Sequence, residues 1–377
     1  MVKKIIILTS TEFTKKEFEK NSIKNFLEKN IKIEVWIIGK TYLVDYEINR
    51  KVLFIHKSVK IRIIPSSNNL KYYFDKIKNN SLSCLFDLRI KLTLRNMPFF
   101  KVFFLYNFNY IIFPSLLLSR ISLHYSLYLK IINLIIRINF LFSKVKIKCA
   151  KYIYLISEKS YVKNNLLISK KTKSILGHHA DFDKYLKFRK KKIVKNKFKY
   201  FVFLDQNVPN HTDLTRLFPG DLNEKKYYNS LLVSFKKVEK QFNYKCLISA
   251  HPRAEIKTLK KYFGNMLSIK SSHDLIQNCE FVLTHDSVAT NFAFLYEKPI
   301  ISIINDELLS TKYNHKKESL YFCKRAKLKL INISRDKFTK KDLVVNKKEY
   351  KDYVRKYIKI NNIEENRAGI ILKKLNF

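Results

Sequence analysis

The residues best suited to chemistry stand in two polar clusters, each placed directly after a short apolar run. Ser249-Ala250-His251-Pro252-Arg253 follows Cys246-Leu247-Ile248, and Thr284-His285-Asp286-Ser287 follows Phe281-Val282-Leu283. An imidazole, a guanidinium and hydroxyls so placed suit an anionic ligand such as a nucleotide phosphate, for which the planar fork of Arg253 is a matched donor. Pro252 fixes its own φ and biases His251 towards an extended backbone, holding the imidazole out from the strand end. Ser287 reads as the N-cap of a helix over Val288–Tyr296. The N–H groups of Val288, Ala289 and Thr290, with the hydroxyls of Ser287 and Thr290, would then face one anion. A bland reading stands beside each: a turn histidine with a structural hydrogen bond, and a serine that only caps its helix.

A third cluster, Leu204 to Asp213, holds the titratable groups Asp205, His211 and Asp213. A carboxylate or imidazole there would serve as general base, taking the proton from an acceptor hydroxyl. His178-His179-Ala180-Asp181, just after Gly177, form a further candidate, although paired His and Asp in loops are commonly solvated turn residues.

The elements that must hold these clusters follow from the apolar pattern. Val2–Thr9 and Ile31–Ile38 are buried-type strand runs flanking a polar helix over 15–29, and residues 51–65 give two further short apolar runs. Strand-like character returns at YIYLIS from Lys151, and a second unit opens at Tyr200 with YFVFLDQ. Strands alternating with helices predict an α/β fold with parallel sheets. In such sheets the carboxyl ends of the strands line the ligand crevice, so all three clusters would face it. The expected organisation is an N-terminal acceptor-side domain over 1–190 with an apolar helical segment at 98–147, and a nucleotide-binding domain over 198–335. KFRKKKIVKNK at 187–197 serves as linker, and a Lys-rich helical tail at 336–377 packs back on the first domain.

Composition removes several classes. A chain of 377 residues can bury sizeable cores. Its formal charge of +44 suits an anionic partner, but the lysines are spread along the chain and no RNP motif, zinc finger or basic zipper accompanies them, so no nucleic-acid partner is expected. The five cysteines show no CxxC spacing, which excludes a zinc ribbon and argues for a reducing cytoplasm over a disulfide framework. The five glycines form neither GxGxxG nor a P-loop, so phosphate binding would fall to helix N-termini and side chains. No DxD motif stands at a convincing strand end, and no metal or cofactor is expected. MVKKIIILTS reads as a first strand, not a signal peptide.

The middle of the chain bears on membranes. Residues 102–119 lack charge but include Asn107, Asn109 and Pro114, and fall at the margin of the roughly 20 apolar residues a span needs. Further on, Ser126, Lys130, Asn133, Arg137, Lys144 and Lys148 fall in one stripe at helical spacing, opposite a broad face of Leu, Ile and Phe. Two readings stay open: an interfacial helix on an anionic leaflet, and a core helix with a solvated edge.

His-Pro-Arg after one strand, then a strand ending in xHDSxAxNFAxxxEKPI, resembles the nucleotide-binding half of GT-B glycosyltransferases. The likeness spans roughly 200–305 and is nearest the bacterial surface-polysaccharide and lipooligosaccharide enzymes of sialyltransferase-like or Kdo-transferase-like type. It implies two Rossmann-like domains facing a central cleft. It also implies a CMP-sugar donor held by His251 and Pro252 as the HP motif and by Ser287 as the serine motif. Arg253, His285, Asp286 and Thr290 complete the implied donor-binding set. The implied reaction is metal-independent glycosyl transfer to a glycan or lipid-linked saccharide in lipopolysaccharide or capsule synthesis, at the inner face of the cell membrane. The chain departs from the usual Ser-Ser or Ser-Thr, having Asp286-Ser287-Val288, and this bears on the choice of CMP. Competing readings are a nucleotide-sugar 2-epimerase, a CDP-polyol phosphotransferase and, outside enzymes, a basic polyanion-binding protein.

Overall fold

The computed structural model describes residues 3–20, 22–39, 53–79, 83–113, 123–156, 165–189, 198–211, 214–215, 218–252, 254–360 and 363–375. The chain divides into two compact units, one of 1–183 with 359–377 and the other of 184–358.

In the first unit the strands are β1 (Lys4–Thr9), β2 (Lys32–Ile37), β3 (Val59–Ile63), β4 (Cys84–Leu88), β5 (Tyr110–Ile112), β6 (Tyr152–Leu155) and β7 (Lys173–Leu176). They form a parallel sheet in the order β3-β2-β1-β4-β5-β6-β7. Continuous apolar runs form these strands because helices cover both faces, so successive side chains are buried on opposite sides. Trp36, Phe74, Phe86, Phe103 and Phe108 pack on one face. Ile5, Ile7, Ile33 and Leu85 pack on the other, against Ile23 and Phe26 and against Ala368 and Ile371 of the returning helix Arg367–Lys374.

The second unit holds β8 (Tyr200–Leu204), β9 (Lys245–Ser249), β10 (Leu267–Ser268), β11 (Val282–Thr284), β12 (Ile300–Ile304) and β13 (Leu330–Asn332), parallel in the order β10-β9-β8-β11-β12-β13. Chain order reverses beside β8, whose two neighbours are β9 and β11. That reversal is where an open α/β sheet leaves a crevice for ligands.

Several expectations need correction. The helix over 15–29 is two short helices, Lys15–Lys20 and Ile23–Glu28, because Ser22 adopts a left-handed φ of 52° between them. The run 102–119 is not one helix: Met97–Leu105 ends at Tyr106, whose ψ is extended, and Tyr110–Ile112 joins the sheet. The unit boundary lies at 183/184, inside the helix Ala180–Phe188, ahead of the expected linker at 187–197; residues 190–197 lie outside those described. Of the tail, only 359–377 belongs to the first unit. The helix Lys347–Tyr357 stays with the second, where the Tyr350 and Tyr353 rings stand 4.7 and 3.9 Å from Phe294.

Candidate functional site

All three sequence clusters of the second unit fall on its crevice-forming strand ends. Asp205 follows β8 directly, Ala250 and His251 follow β9, and His285-Asp286-Ser287 follow β11. Two consecutive residues tie the three loops together. The Asp205 N–H donates to Ser249 O at 3.0 Å, and Asp205 Oδ2 lies 3.4 Å from the His251 N–H, joining the β8 and β9 loops. On the other side, Gln206 Nε2 donates to Asp286 Oδ1 at 2.6 Å, and Gln206 Oε1 accepts from the Asp286 N–H at 3.3 Å, joining the β8 and β11 loops. Asn207, at a left-handed φ of 52°, then turns the chain into Val208-Pro209-Asn210 and on to His211. The His211 ring comes within 6.4 Å of the His251 ring, edge to face.

Burial sorts these residues by what they can reach. Asp205 is only 3% exposed, and burial raises its carboxyl to about 6 against the lowering effect of N–H groups from Asn207, His251 and Gln206. Its Oδ1 has no hydrogen-bond partner among the described residues, and the same holds for Tyr228 Oη and His211 Nδ1 nearby in the chain's fold. So deeply buried, Asp205 is placed to hold the His251 backbone N–H.

His285 lies still deeper. Its Nδ1 is 2.7 Å from Ile303 O and its Nε2 is 2.8 Å from the Tyr227 hydroxyl. A carbonyl only accepts, so Nδ1 carries the proton and Nε2 accepts from tyrosine. Burial lowers the imidazole's pKa and keeps it neutral. Both nitrogens are therefore committed to the core, and His285 anchors the β11 loop from below, leaving Asp286 and Ser287 as the half-exposed members of that cluster.

The helix after β11 differs from expectation. It is Thr290–Leu295, six residues, and Ala289 stands at its N-cap without a side-chain bond. Residues 287–290 make a turn instead: Ser287 Oγ accepts from the Ala289 N–H at 3.3 Å, Thr284 Oγ1 accepts from the Ser287 N–H at 3.1 Å, and the Thr290 hydroxyl donates to Ser287 O. Thr290 is thus 1% exposed with its proton spent inside the turn, whereas Ser287 stays half-buried beside Asp286.

Pro252 follows the β9 loop as an exposed residue, and the Ala254 N–H closes the turn on His251 O at 2.9 Å. Arg253 and Asp213 lie outside the described residues. Sequence reasoning missed Gln206, Tyr227 and Tyr228 as site-forming residues. Only Gln206 carried a signal, as a polar residue directly after the first strand of the unit. The His178-His179 pair is in the first unit, where His178 is fully buried and accepts the Ile360 N–H on Nδ1 at 3.1 Å. Among the described residues, no group of three or more His, Cys, Asp and Glu could hold a metal ion.

No protein-family model matches the sequence, and no curated protein matches it. Solved structures do. A histidine-to-asparagine variant of the wall teichoic acid polymerase TagF superposes with a TM-score of 0.53 at 9% identity, covering 99% of this chain and 89% of that one. The same variant with CDPG gives 0.52 at 9% identity over 99% and 87%. The UDP-GlcNAc 2-epimerase of Methanocaldococcus jannaschii aligns over 98% of this chain and 99% of its own at 14% identity, with a TM-score of 0.46. At such identities the TagF likeness is one of fold, and the fold is that of the GT-B class: two α/β units, each built on a parallel sheet.

Proposed function

We propose that the chain is a GT-B transferase that moves a glycosyl group from a nucleotide-sugar, a CMP-sugar by preference, to a hydroxyl of a cell-surface glycan or lipid-linked saccharide. The observation that carries this reading is the Asp205-Gln206 pair, which ties the His251 loop and the Asp286-Ser287 loop to one strand end where the sheet order reverses. In the reaction the nucleotide phosphate leaves and its charge grows. His251 and Ser287 are the donors for that charge, with Arg253 a further donor by residue type, and pre-placed donors stabilise such charge without reorganising. His211, beside His251, and Asp213 are the groups proposed to take the acceptor proton. Asp205 and His285 hold the loops, and Thr290 closes the turn that presents Ser287.

A second reading has one observation in its favour. TagF, a fold neighbour with a TM-score above 0.5, carries CDPG in one structure, so transfer of a polyol phosphate from a CDP-linked donor is the alternative chemistry. Both readings place a cytidine nucleotide at the same loops.

Thermal unfolding with CMP, CDP, UDP and GDP at moderate salt, on wild type and His251→Ala, tests the site. Saturation at a hundredfold excess over Kd adds about 2.7 kcal/mol of stability, so a cytidine nucleotide should raise the midpoint by several degrees in wild type and not in the variant. Equal shifts for all nucleotides, unchanged by the substitution, would move the reading to a polyanion-binding protein. Release of CMP from a CMP-sugar, compared with turnover of CDP-glycerol, separates the two chemistries.

A further inference from the structure

Over its described side chains, from Lys130 to Phe142, the helix Leu123–Phe142 buries one part of its apolar surface and exposes another. Ile136 and Phe140 are 1% and 2% exposed, and the Phe140 ring meets Phe104 at 5.7 Å. Another set faces away: Ile131, Leu134, Ile135, Ile138, Leu141 and Phe142 are between 43% and 85% exposed. Their spacing from Ile131 runs i, i+3, i+4, i+7, i+10 and i+11, which a helical repeat of about 3.6 residues gathers into one continuous stripe. Scattered exposed apolar residues are ordinary, but a contiguous patch marks a contact surface.

Charge says what the stripe contacts. Lys130 and Arg137 are exposed and seven residues apart, so they line one border of the stripe; Lys144 is exposed just beyond the helix. Residues 88–157 carry eleven Lys and Arg and no Asp or Glu. The rim therefore offers cations and no anions. A second copy of the chain is a poor fit, because a twofold contact is isologous and would bring two such rims together. An anionic lipid surface is complementary on both counts: the stripe enters the boundary between headgroups and acyl chains, and the cations meet the phosphates. The helix does not cross the membrane in this arrangement, since Lys130 and Arg137 lie within it and Ile136 and Phe140 are buried in the protein. No helix among the described residues is long and apolar enough to span.

We propose that this face of Leu123–Phe142 lies on an anionic membrane, with Leu134, Ile138 and Leu141 inserted and Lys130, Arg137 and Lys144 against headgroup phosphates. The inference rests on the exposed face and its charged border, and holds whichever group the second unit transfers.

Co-sedimentation with vesicles of phosphatidylglycerol and of phosphatidylcholine tests it on the full chain. Wild type should pellet with phosphatidylglycerol and not with phosphatidylcholine. Binding should weaken as salt rises and the screening length falls from about 10 Å at 0.1 M to about 3 Å at 1 M. Lys130→Glu/Arg137→Glu should lose at least about fivefold per lysine or arginine removed. The deciding variant is Leu134→Ser/Ile138→Ser/Leu141→Ser, which leaves net charge unchanged, alters only exposed positions and should unfold at the wild-type midpoint. Each methylene withdrawn from lipid is worth about fourfold, so this variant should bind at least tenfold more weakly. Wild-type binding by the triple serine variant would overturn the proposal, since charge alone would then govern. So would absence of wild-type binding at low salt, or a wild-type dimer that the serines disperse without any vesicle binding.

Discussion

The side-chain amide of Gln206 grips Asp286 at two points, donating to Oδ1 at 2.6 Å and accepting the backbone N–H at 3.3 Å. An amide suits this task because it offers a donor and an acceptor in one plane, and Asp286 presents a carboxylate and an N–H to match. The grip spans the point where sheet order reverses, so one residue after β8 sets the position of the loop after β11.

Replacing Gln206 by Ala should therefore act on ligand binding more than on folding. Asp286 is half-buried and its oxygen would turn to water, so the loss of stability should be about 1 kcal/mol. The β11 loop would lose its register against β8, and the nucleotide-induced rise in melting midpoint should shrink to a small fraction of the wild-type value. An unchanged rise would show that the grip does not position the donor site.

Tyr227→Phe should cost more in stability than in binding. It leaves the buried Nε2 of His285 without its donor, and an orphaned buried acceptor costs about 1–3 kcal/mol. His285→Phe in the same background removes that orphan along with the Nδ1–H bond to Ile303 O, so the double variant should cost less than the sum of the two singles. Denaturant midpoints of the two singles and the double measure this coupling.

Much of the scaffold was legible because buried parallel strands are short continuous apolar runs, and YFVFL and KCLIS each became a strand within a residue or two of expectation. The positions of the chemical clusters followed from the same runs. What the sequence hid was direction. His285 and Asp286 are neighbours of similar polarity, yet one ring turns down to Tyr227, which lies 58 residues earlier, and the other side chain turns to Gln206. Ser287 carries a good capping residue type, but hydroxyls at Thr284 and Thr290 bind the same few peptide groups and close a turn before the helix begins. Competition among local hydroxyls of this kind is decided by tertiary packing. The break at Ser22 was hidden for a similar reason: its hydroxyl donates to Asp183 Oδ2 at 2.6 Å, a contact 161 residues away.

Asp183 is the fastener of the returning helix. It accepts from the Ser22 hydroxyl, from the Arg367 N–H at 2.9 Å and from Arg367 Nε at 3.0 Å, with both side chains largely buried. Asp183→Ala would leave the guanidinium buried without its carboxylate, at a cost of about 3–5 kcal/mol. The loss should appear in the unfolding of the first unit, as a lowered midpoint. Arg367→Met, which removes the charge, should cost less than Asp183→Ala. The reverse order would mean that packing by the arginine stem, and not the ion pair, fastens this helix.

Two buried groups predict opposite pH dependences for the two units. In the first, burial lowers His178 to about 4. Its folded pKa lies below the unfolded value, so the unfolded chain binds more protons and stability is lost as pH falls from about 6.5 towards 4. In the second, burial raises Asp205 from 3.8 to about 6. Here the folded state binds more protons, so the contribution is fully present below the unfolded pKa and is lost as pH rises through 6. The span of about two units corresponds to roughly 3 kcal/mol. Asp205→Asn cannot titrate, so its stability relative to wild type should improve by that order between pH 4 and pH 8, whatever the constant cost of the amide. Urea unfolding of both proteins across this range checks it. A difference that stays flat with pH would place the Asp205 carboxyl at its ordinary value, ionised at neutral pH beneath the His251 loop.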